Sequence, residues 1–455
     1  MKIAIISQKD SFNVVTALLK SGNLYEIYFE KREKLRIGDI YLGKVIEVVP
    51  GLGAAFIDIG NGGIGFLKLK DLSSNDIKSG DKYIVQVGRK SIGQKYPQVT
   101  TRLSIPGRYT ILMPYSKNIG VSRKIESKFE RDRLYEIMKN SKPKGMGLIA
   151  RTAAEGVNEE NISKDIRVAL SIWNEIIEKS SKGKIGLLRE ASDTIESFVR
   201  DRINSTVNEV VVDTIELKNR VQKLFNTYNI EIPIRMHVGP KRLLDFYNVM
   251  KQFRASLERE IFLPSGGFIT IDKTEALTVI DVNSGTYLDD DVIFKTNFEA
   301  SVEIARIIRL RDIGGIIIID FISMTSEEDQ KAIVEKLKAE TKYDYSKSII
   351  FGFTHLGLLE MSRRKIKEGI SKQYTNVCPY CRGKGYLKSF DTLLKEIENE
   401  IFPSMESEEF TFAEVKLSKY LYDYVKIARV EYDNIEFKLD TALMPEEYSV
   451  KFFKR

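Results

Sequence analysis

Two apolar runs that each stop on an aspartate constrain this chain more than any other feature. Between residues 263 and 324 it reads LPSGGFITID, then EALTVIDVNSG, then a helix-period stretch closed by Gly314-Gly315, then IIIIDFISM. Residues 277–280 run into Asp281, and residues 316–319 run into Asp320. Runs this apolar are too hydrophobic for exposed strands and read as buried strands of an α/β sheet. A helix over residues 298–311, stopped by the glycine pair, makes the segment a strand-helix-strand unit whose short turns set the two strands side by side. Both carboxylates then emerge at one sheet edge, where the active sites of open α/β sheets gather.

Two close carboxylates repel, and a hard cation relieves the repulsion. Mg²⁺ prefers one or two protein carboxylates, keeps several waters and leaves room for phosphate oxygens. Asn283, two residues beyond Asp281, points the same way in an extended segment and can hydrogen-bond a phosphate or a metal-bound water. The competing reading is that each aspartate caps a turn, as most lone strand-end aspartates do. It leaves the matched pair, with Asn283 beside one member, without a reason. The chain holds two histidines, His237 and His355, so chemistry needing several imidazoles is excluded and hydrolysis would run on carboxylates and metal.

Residues 36–105 have a different texture: short alternating strands punctuated by glycine, as in GDIYLGKVIEVVPGLGAAFIDIG and GGIGFLKLKDL. Strands at that spacing suggest a small closed barrel. Gly43-Lys44-Val45, Gly53 to Gly60 and Gly65-Phe66-Leu67 resemble the repeat pattern of the S1-type OB-fold. That resemblance places Phe56 and Phe66 near an RNA face, where aromatic rings stack bases while Lys44, Lys68, Lys70 and Lys95 follow the phosphates. In an arbitrary barrel both phenylalanines would be core.

Residues 1–35 hold two strands, too little to bury a core, and are completed by the alternating helices and strands of residues 196–257, including a helix over 240–257. The first domain is thus discontinuous, with the barrel and residues 106–195 inserted. In that second insert GMGLIART ends a hydrophobic strand in Arg151-Thr152, which offers a guanidinium, a hydroxyl and backbone N–H groups to one phosphate. An Arg-Thr pair at a strand end is otherwise simply solvated. Residues 388–455 read as a small helix-and-strand module with helices near 392–401 and 412–419 and strands near 425–432 and 435–439.

Both cysteines of the chain lie in CPYCRGKG, which excludes a disulfide framework. The spacing lets Cys378 and Cys381 bind one Zn²⁺, and the glycines permit a tight knuckle. Tetrahedral zinc wants four ligands, and the simplest completion is a second subunit donating its own pair. The rival, a thioredoxin-like redox motif, should open a helix, for which Arg382-Gly383-Lys384-Gly385 is a poor start.

Taken in order, GMGLIART, LPSGG, EALTVIDVNSG, FKTNFEASVEIARIIRLRDIGGIIIIDFISM, LGLLEMSRRK and CPYCRGKG resemble the signature blocks of the ribonuclease E/G family over nearly the whole chain. The resemblance is closest to the short, ribonuclease G type, without the disordered scaffold tail. It implies a multidomain α/β and β fold: a ribonuclease-H-like domain of residues 1–35 plus 196–257, an S1-type OB barrel (36–105), a 5′-phosphate sensor (106–195), a DNase-I-like catalytic domain (258–374), a zinc link (375–387) and a small dimerisation-associated α+β domain (388–455). It further implies that Asp281 and Asp320 hold Mg²⁺, that Asn283 orients the scissile phosphate and that metal-activated water leaves 5′-phosphate and 3′-hydroxyl ends. Arg151 and Thr152 would grip a 5′-monophosphate, and the zinc link would join a homodimer, with a tetramer as a further assembly. The segment after DVNSG, TYLDDDVIF, is shorter and more acidic than the family pattern.

With 71 basic and 64 acidic side chains the net charge is +7, which suits a polyanion such as single-stranded RNA, and 43% hydrophobic residues with 11 prolines favour a folded chain. The start lacks a secretory pattern and no apolar run reaches membrane-span length, so a cytoplasmic protein is expected. Two alternatives remain: a non-catalytic RNA-binding factor built on the barrel, and a CxxC oxidoreductase.

Overall fold

Period-two alternation over residues 40–100 closes the chain on itself. In the computed structural model, which describes all residues except 9–13, 31–34, 73–76, 90–95, 286–289, 343, 345, 365–373, 407–409 and 455, the strands Ile40–Val49, Ala54–Gly60, Gly63–Lys68, Gln98–Thr100 and Lys82–Arg89 pair in that order. Ile40–Val49 then pairs again with Lys82–Arg89, giving a closed five-stranded barrel. Val45, Ala55, Ile57, Leu67, Val85 and Val99 fill its interior. At Gly43 an added Cβ would stand 2.4 Å from the Ile57 side chain, so this strand crossing requires glycine. Strand Gly186–Arg189 pairs with the outside of Ile40–Val49 and ties the barrel to the module after it.

The chain divides into two units, Met1–Lys367 and Glu368–Arg455. Within the first, Lys2–Ser7 lies parallel to Glu209–Val212 in a sheet ordered Ile234–Met236, Glu209–Val212, Lys2–Ser7, Val15–Lys20, Asn23–Phe29. Helices Thr194–Arg202 and Ile215–Tyr228 bury Phe198, Val221 and Phe225 with Ile6 and Val212 in its core. Residues 240–257 are not one helix. They form Leu243–Phe246 and Val249–Ala255, separated at Asn248, whose φ of 53° is left-handed and cannot continue an α-helix.

A second sheet runs in the order Glu260–Phe262, Phe268–Lys273, Leu277–Asn283, Gly315–Asp320, Leu358–Arg363, Ser348–Phe353. Helix Asp290–Leu310 joins Leu277–Asn283 to its parallel neighbour Gly315–Asp320. Ile280, Val282, Ile317, Ile319, Leu359 and Met361 are buried on one face, while alternate residues such as Ile316 and Phe351 are exposed on the other. This helix docks on the N-terminal sheet: Arg306 Nη1 donates to Leu24 O at 3.1 Å, and the Arg309 guanidinium stacks 3.8 Å from the Tyr25 ring centre.

The second unit contains helix Phe390–Glu406, strand Phe412–Leu417, helix Lys419–Ile427 and strands Ile435–Leu439 and Tyr448–Phe453 around a core of Leu393, Ile397, Val415, Leu417 and Leu421. The expected helix at 412–419 and strand at 425–432 are therefore corrected. Ala413, Val415 and Leu417 are buried at period two, which makes a strand. Ser418 caps the next helix by accepting from Leu421 N, and Leu421 and Val425 are buried four residues apart.

Candidate active site and RNA-facing surfaces

Asp281 and Asp320 are direct partners in the parallel ladder. Residues so paired leave the same face from strands about 4.8 Å apart, and both aspartates are exposed. Asp320 ends its strand as expected. Asp281 does not: its strand continues to Asn283, because Phe268–Lys273 pairs along it with Thr270 opposite Asp281 and Phe268 opposite Asn283. The extra two residues bring Asn283 back to the same face, and its Nδ2 donates to Asp281 Oδ2 at 2.7 Å.

The elements around the pair explain why their sequences read as they do. An added Cβ on Gly267 would lie 2.5 Å from Asn283 O, so the GG of LPSGG lets that turn approach the Asn283 backbone. Ser265 N donates to Glu299 Oε2 at 2.7 Å, holding the same turn to the helix. Asn297, fully buried on that helix, donates through Nδ2 to Ile322 O at 2.8 Å and accepts from Ile322 N at 3.1 Å, pinning the chain two residues after Asp320. Asn297 lies within the FKTNFEASVEIARIIRLRDIGGIIIIDFISM block, but sequence reasoning gives it no role, although an asparagine on an otherwise apolar helix face is a signal for such a clamp.

On the far side of Asp320 lies strand Leu358–Arg363, with Leu358 opposite Asp320. Its last residue, Arg363, is buried and bidentate to Asp344, with Nε to Oδ2 at 2.8 Å and Nη2 to Oδ1 at 3.1 Å. The backbone of Asp344 in turn accepts from Lys124 Nζ at 2.8 Å, which links residues 106–195 to the carboxylate-bearing sheet. Among the described residues no group of three or more His, Cys, Asp or Glu side chains is arranged to hold a metal. The donor set is two carboxylates, which fits Mg²⁺ and is poor for zinc or calcium.

Arg151 and Thr152 follow strand Gly147–Ala150 at the end where the parallel strand Ile119–Val121 also stops. Thr152 Oγ1 lies 2.8 Å from Ser122 Oγ, a pair at the exposed end of the strand. The Arg151 guanidinium is already oriented: Nη1 donates to Gly107 O at 2.6 Å and Nη2 to Asp201 Oδ1 at 2.7 Å. Burial would raise the Asp201 carboxyl pKa, but the hydrogen bond and charge of Arg200 and the charge of Arg151 hold it below the usual range. The Gly107 turn is built by buried Asp165, which accepts from Arg108 N, Tyr109 N and Thr110 N at 2.7 to 3.0 Å. A Cβ on Gly107 would collide with that carboxylate at 2.4 Å.

Phe56 and Phe66 are opposite one another in the barrel ladder and lie outside its core, half-buried, with ring centres 6.0 Å apart. Tyr96, 51% exposed, stands edge-on to Phe56 at 5.4 Å and enlarges the platform to three rings. Its place after a glycine-lysine-rich segment offers no periodic cue. Lys44 and Lys70 are exposed and Lys68 is half-buried. Lys95 lies outside the described residues.

In the second unit residues 379–385 are turns and bends, and no helix opens at either cysteine. Cys378 is exposed, Cys381 is half-buried, and both are free thiols. Backbone N–H groups of Gly385 and Gly383 aimed at the Cys381 sulfur push its pKa down, which favours the thiolate that binds metal. Arg382 N donates to Cys378 O at 2.9 Å, and Arg382 and Gly383 have φ of 49° and 91°, the turn of a knuckle. One chain offers two sulfurs here, whereas a tetrahedral structural zinc takes four ligands.

The model of the ribonuclease E/G family matches residues 104–366, and that of the S1 RNA binding domain matches residues 34–104. The chain is 34% identical to ribonuclease G of Salmonella typhimurium, across 85% of this chain and 84% of that protein. It is 32% identical to ribonuclease G of Haemophilus influenzae across 89% of each. Ribonuclease E of a Nostoc species is 38% identical across 77% of this chain and 54% of its own length. The chain belongs to the ribonuclease E/G family, a family of endoribonucleases, and carries an S1 RNA-binding barrel.

Proposed function

We propose that this protein is a Mg²⁺-dependent endoribonuclease that cuts single-stranded RNA at the face carrying Asp281 and Asp320. The observation that carries the reading is the register of the two aspartates, directly opposite on parallel strands with Asn283 hydrogen-bonded to one of them. Asp281 and Asp320 would hold the ion, which when bound supplies Lewis-acid activation of the phosphodiester and of water. Asn283 fixes the rotamer of Asp281 and presents its amide toward the phosphate, and Asn297 keeps Asp320 in place through Ile322. No histidine is needed for this work.

The same reading gives 5′-phosphate and 3′-hydroxyl products, a preference for 5′-monophosphorylated RNA read by Arg151 and Thr152, and a role in ribosomal RNA processing and messenger RNA decay in the cytoplasm. It takes residues 1–35 with 196–257 as a ribonuclease-H-like domain and 258–374 as a DNase-I-like one. Base contacts fall to Phe56 and Phe66, with Lys95 on the phosphates. Cys378 and Cys381 would share Zn²⁺ with the same pair of a second subunit, making a homodimer that can pair into a tetramer. Among the described residues no helix is long and apolar enough to cross a membrane.

The test is cleavage of a 5′-monophosphorylated single-stranded RNA by the natural chain, Asp281→Asn and Asp320→Asn, with Mg²⁺ and with EDTA. Cleavage that needs both aspartates and the metal supports the reading. Tight binding that leaves RNA intact would make the chain an RNA-binding factor instead.

A further inference from the structure

Strands Lys2–Ser7, Glu209–Val212 and Ile234–Met236 run parallel, so their carboxyl ends share one edge of the N-terminal sheet, the edge at which open α/β sheets bind ligands. His237 follows the last of these strands. Its N–H donates to Val212 O at 2.8 Å and its Nε2 lies 2.8 Å from Lys241 O, which folds residues 237–241 into a tight loop. Three rings gather beside that loop: His237 and Phe246 at 5.1 Å, Phe246 and Tyr247 at 5.0 Å and 81°. Arg235 Nη2 donates to Tyr247 OH at 2.5 Å while Arg235 is also paired with Glu209, so the cluster is built rather than incidental.

The cluster is nevertheless left open. Phe246 is 53% exposed and Val238 81% exposed. Lys241 and Arg242 are exposed and form no ion pair among the described residues, and residues 237–247 hold one carboxylate, the exposed Asp245. Rings with a free face beside unpaired cations match single-stranded nucleic acid, whose bases stack and whose phosphates are neutralised. A protein partner would gain most from a larger apolar patch with few bare cations.

We propose that this edge is a second RNA-binding surface, distinct from the barrel and from the carboxylate pair, that stacks unpaired bases on Phe246 and His237 and holds phosphates with Lys241 and Arg242. It rests on the ribonuclease reading and extends it: a long unpaired substrate is held at this surface as well as at the cleavage face. A short RNA held at the carboxylate pair alone would leave this surface empty.

The test uses the full chain carrying Asp281→Asn, so that RNA stays intact, and compares single-stranded RNAs of about 8 and about 40 nucleotides, on either side of the site size of one binding fold. Phe246→Ala is expected to weaken binding of the long RNA about tenfold and leave the short one unchanged. Phe246→Trp, which keeps a ring, should restore it. Lys241→Ala with Arg242→Ala should lower the slope of log affinity against log salt by about 1.4, or about 0.7 for each phosphate that these cations no longer neutralise on a single strand. Unchanged long-RNA affinity and salt slope in these variants, in a chain that still cleaves RNA when Asp281 is intact, would overturn the inference alone. Loss of all RNA binding and cleavage in the natural chain would instead remove the ribonuclease reading beneath it.

Discussion

Arg363 is 3% exposed and has four acceptors: Asp344 through two bonds of 2.8 and 3.1 Å, Asp312 Oδ1 at 2.8 Å and Ile313 O at 2.7 Å. Burial works against its charge, yet the hydrogen bonds and charges of Asp344 and Asp312 hold its pKa above the ordinary arginine value. Asp344→Ala removes two of the four acceptors and one of the two negative charges. Leaving a buried ion without its partner costs about 3 to 5 kcal/mol. Because Asp312 and the Ile313 carbonyl remain, the lower end applies, about 3 kcal/mol or roughly 150-fold in an opening equilibrium. The effect should be local, since Arg363 closes the strand whose other end, Leu358, lies opposite Asp320. Amide hydrogen exchange in residues 315–320 and 358–363 should therefore accelerate by that factor, while the barrel strands keep their rates. The paired change Asp344→Leu with Arg363→Met should recover most of the stability, because no fully buried ion is then stranded and Asp312, which loses Arg363, has a side chain 19% exposed to water. Exchange unchanged in Asp344→Ala, or a double variant no better than the single one, would refute this account of Arg363.

Asp201 provides a pH signature. A carboxyl with a depressed folded pKa contributes stability that is present above its unfolded value of about 4 and lost as pH falls through the folded value. Asp201→Asn should thus flatten the acid limb of the melting curve below about pH 4, and an acid limb identical to that of the natural chain would count against the Arg200–Asp201–Arg151 cluster as its source. Tyr96→Ala should weaken single-stranded RNA binding about tenfold if its ring stacks a base, measured by filter binding, and equal affinity would leave the platform to Phe56 and Phe66. For Cys378→Ser the expected result is loss of bound zinc together with a fall from dimer to monomer mass; a variant that keeps both would end the shared-zinc reading.

The paired carboxylates are legible in the sequence because their information is local. Each run is uncharged at every position although the structure buries only one face and leaves Ile316 exposed on the other, so the first charge after each run still marks the carboxyl end of the sheet, and the single helical crossover makes the strands neighbours. The glycines that close the barrel and the two-residue step from Asp281 to Asn283 are equally local. The small unit is harder to read at 412–432 because Phe412–Leu417 and Lys419–Ile427 mix aromatic, charged and apolar residues at spacings that suit either period. Which period prevails is decided by tertiary burial against helix Phe390–Glu406, and by Ser418 acting as a cap.

Long-range polar partners are the hardest to foresee, and they are what makes the candidate sites specific. Asp201 orients Arg151 from 50 positions away and Asp344 holds Arg363, while Asn297 secures the segment after Asp320. Asp201 and Asp344 are single polar residues whose sequence neighbourhoods look like those of solvated ones, and only its apolar helix face distinguishes Asn297. Their effect on Arg151 bears on the proposed 5′-phosphate site. With Nη1 on Gly107 O and Nη2 on Asp201, this guanidinium is held in one orientation before any ligand arrives, so a bound phosphate would incur little further loss of side-chain freedom. The same hydrogen bonds take up some of its donors, leaving the Thr152 and Ser122 hydroxyls as the adaptable part of the site. A 5′-phosphate bound there would therefore owe its specificity to a fixed cation and its geometry to two hydroxyls that can rotate.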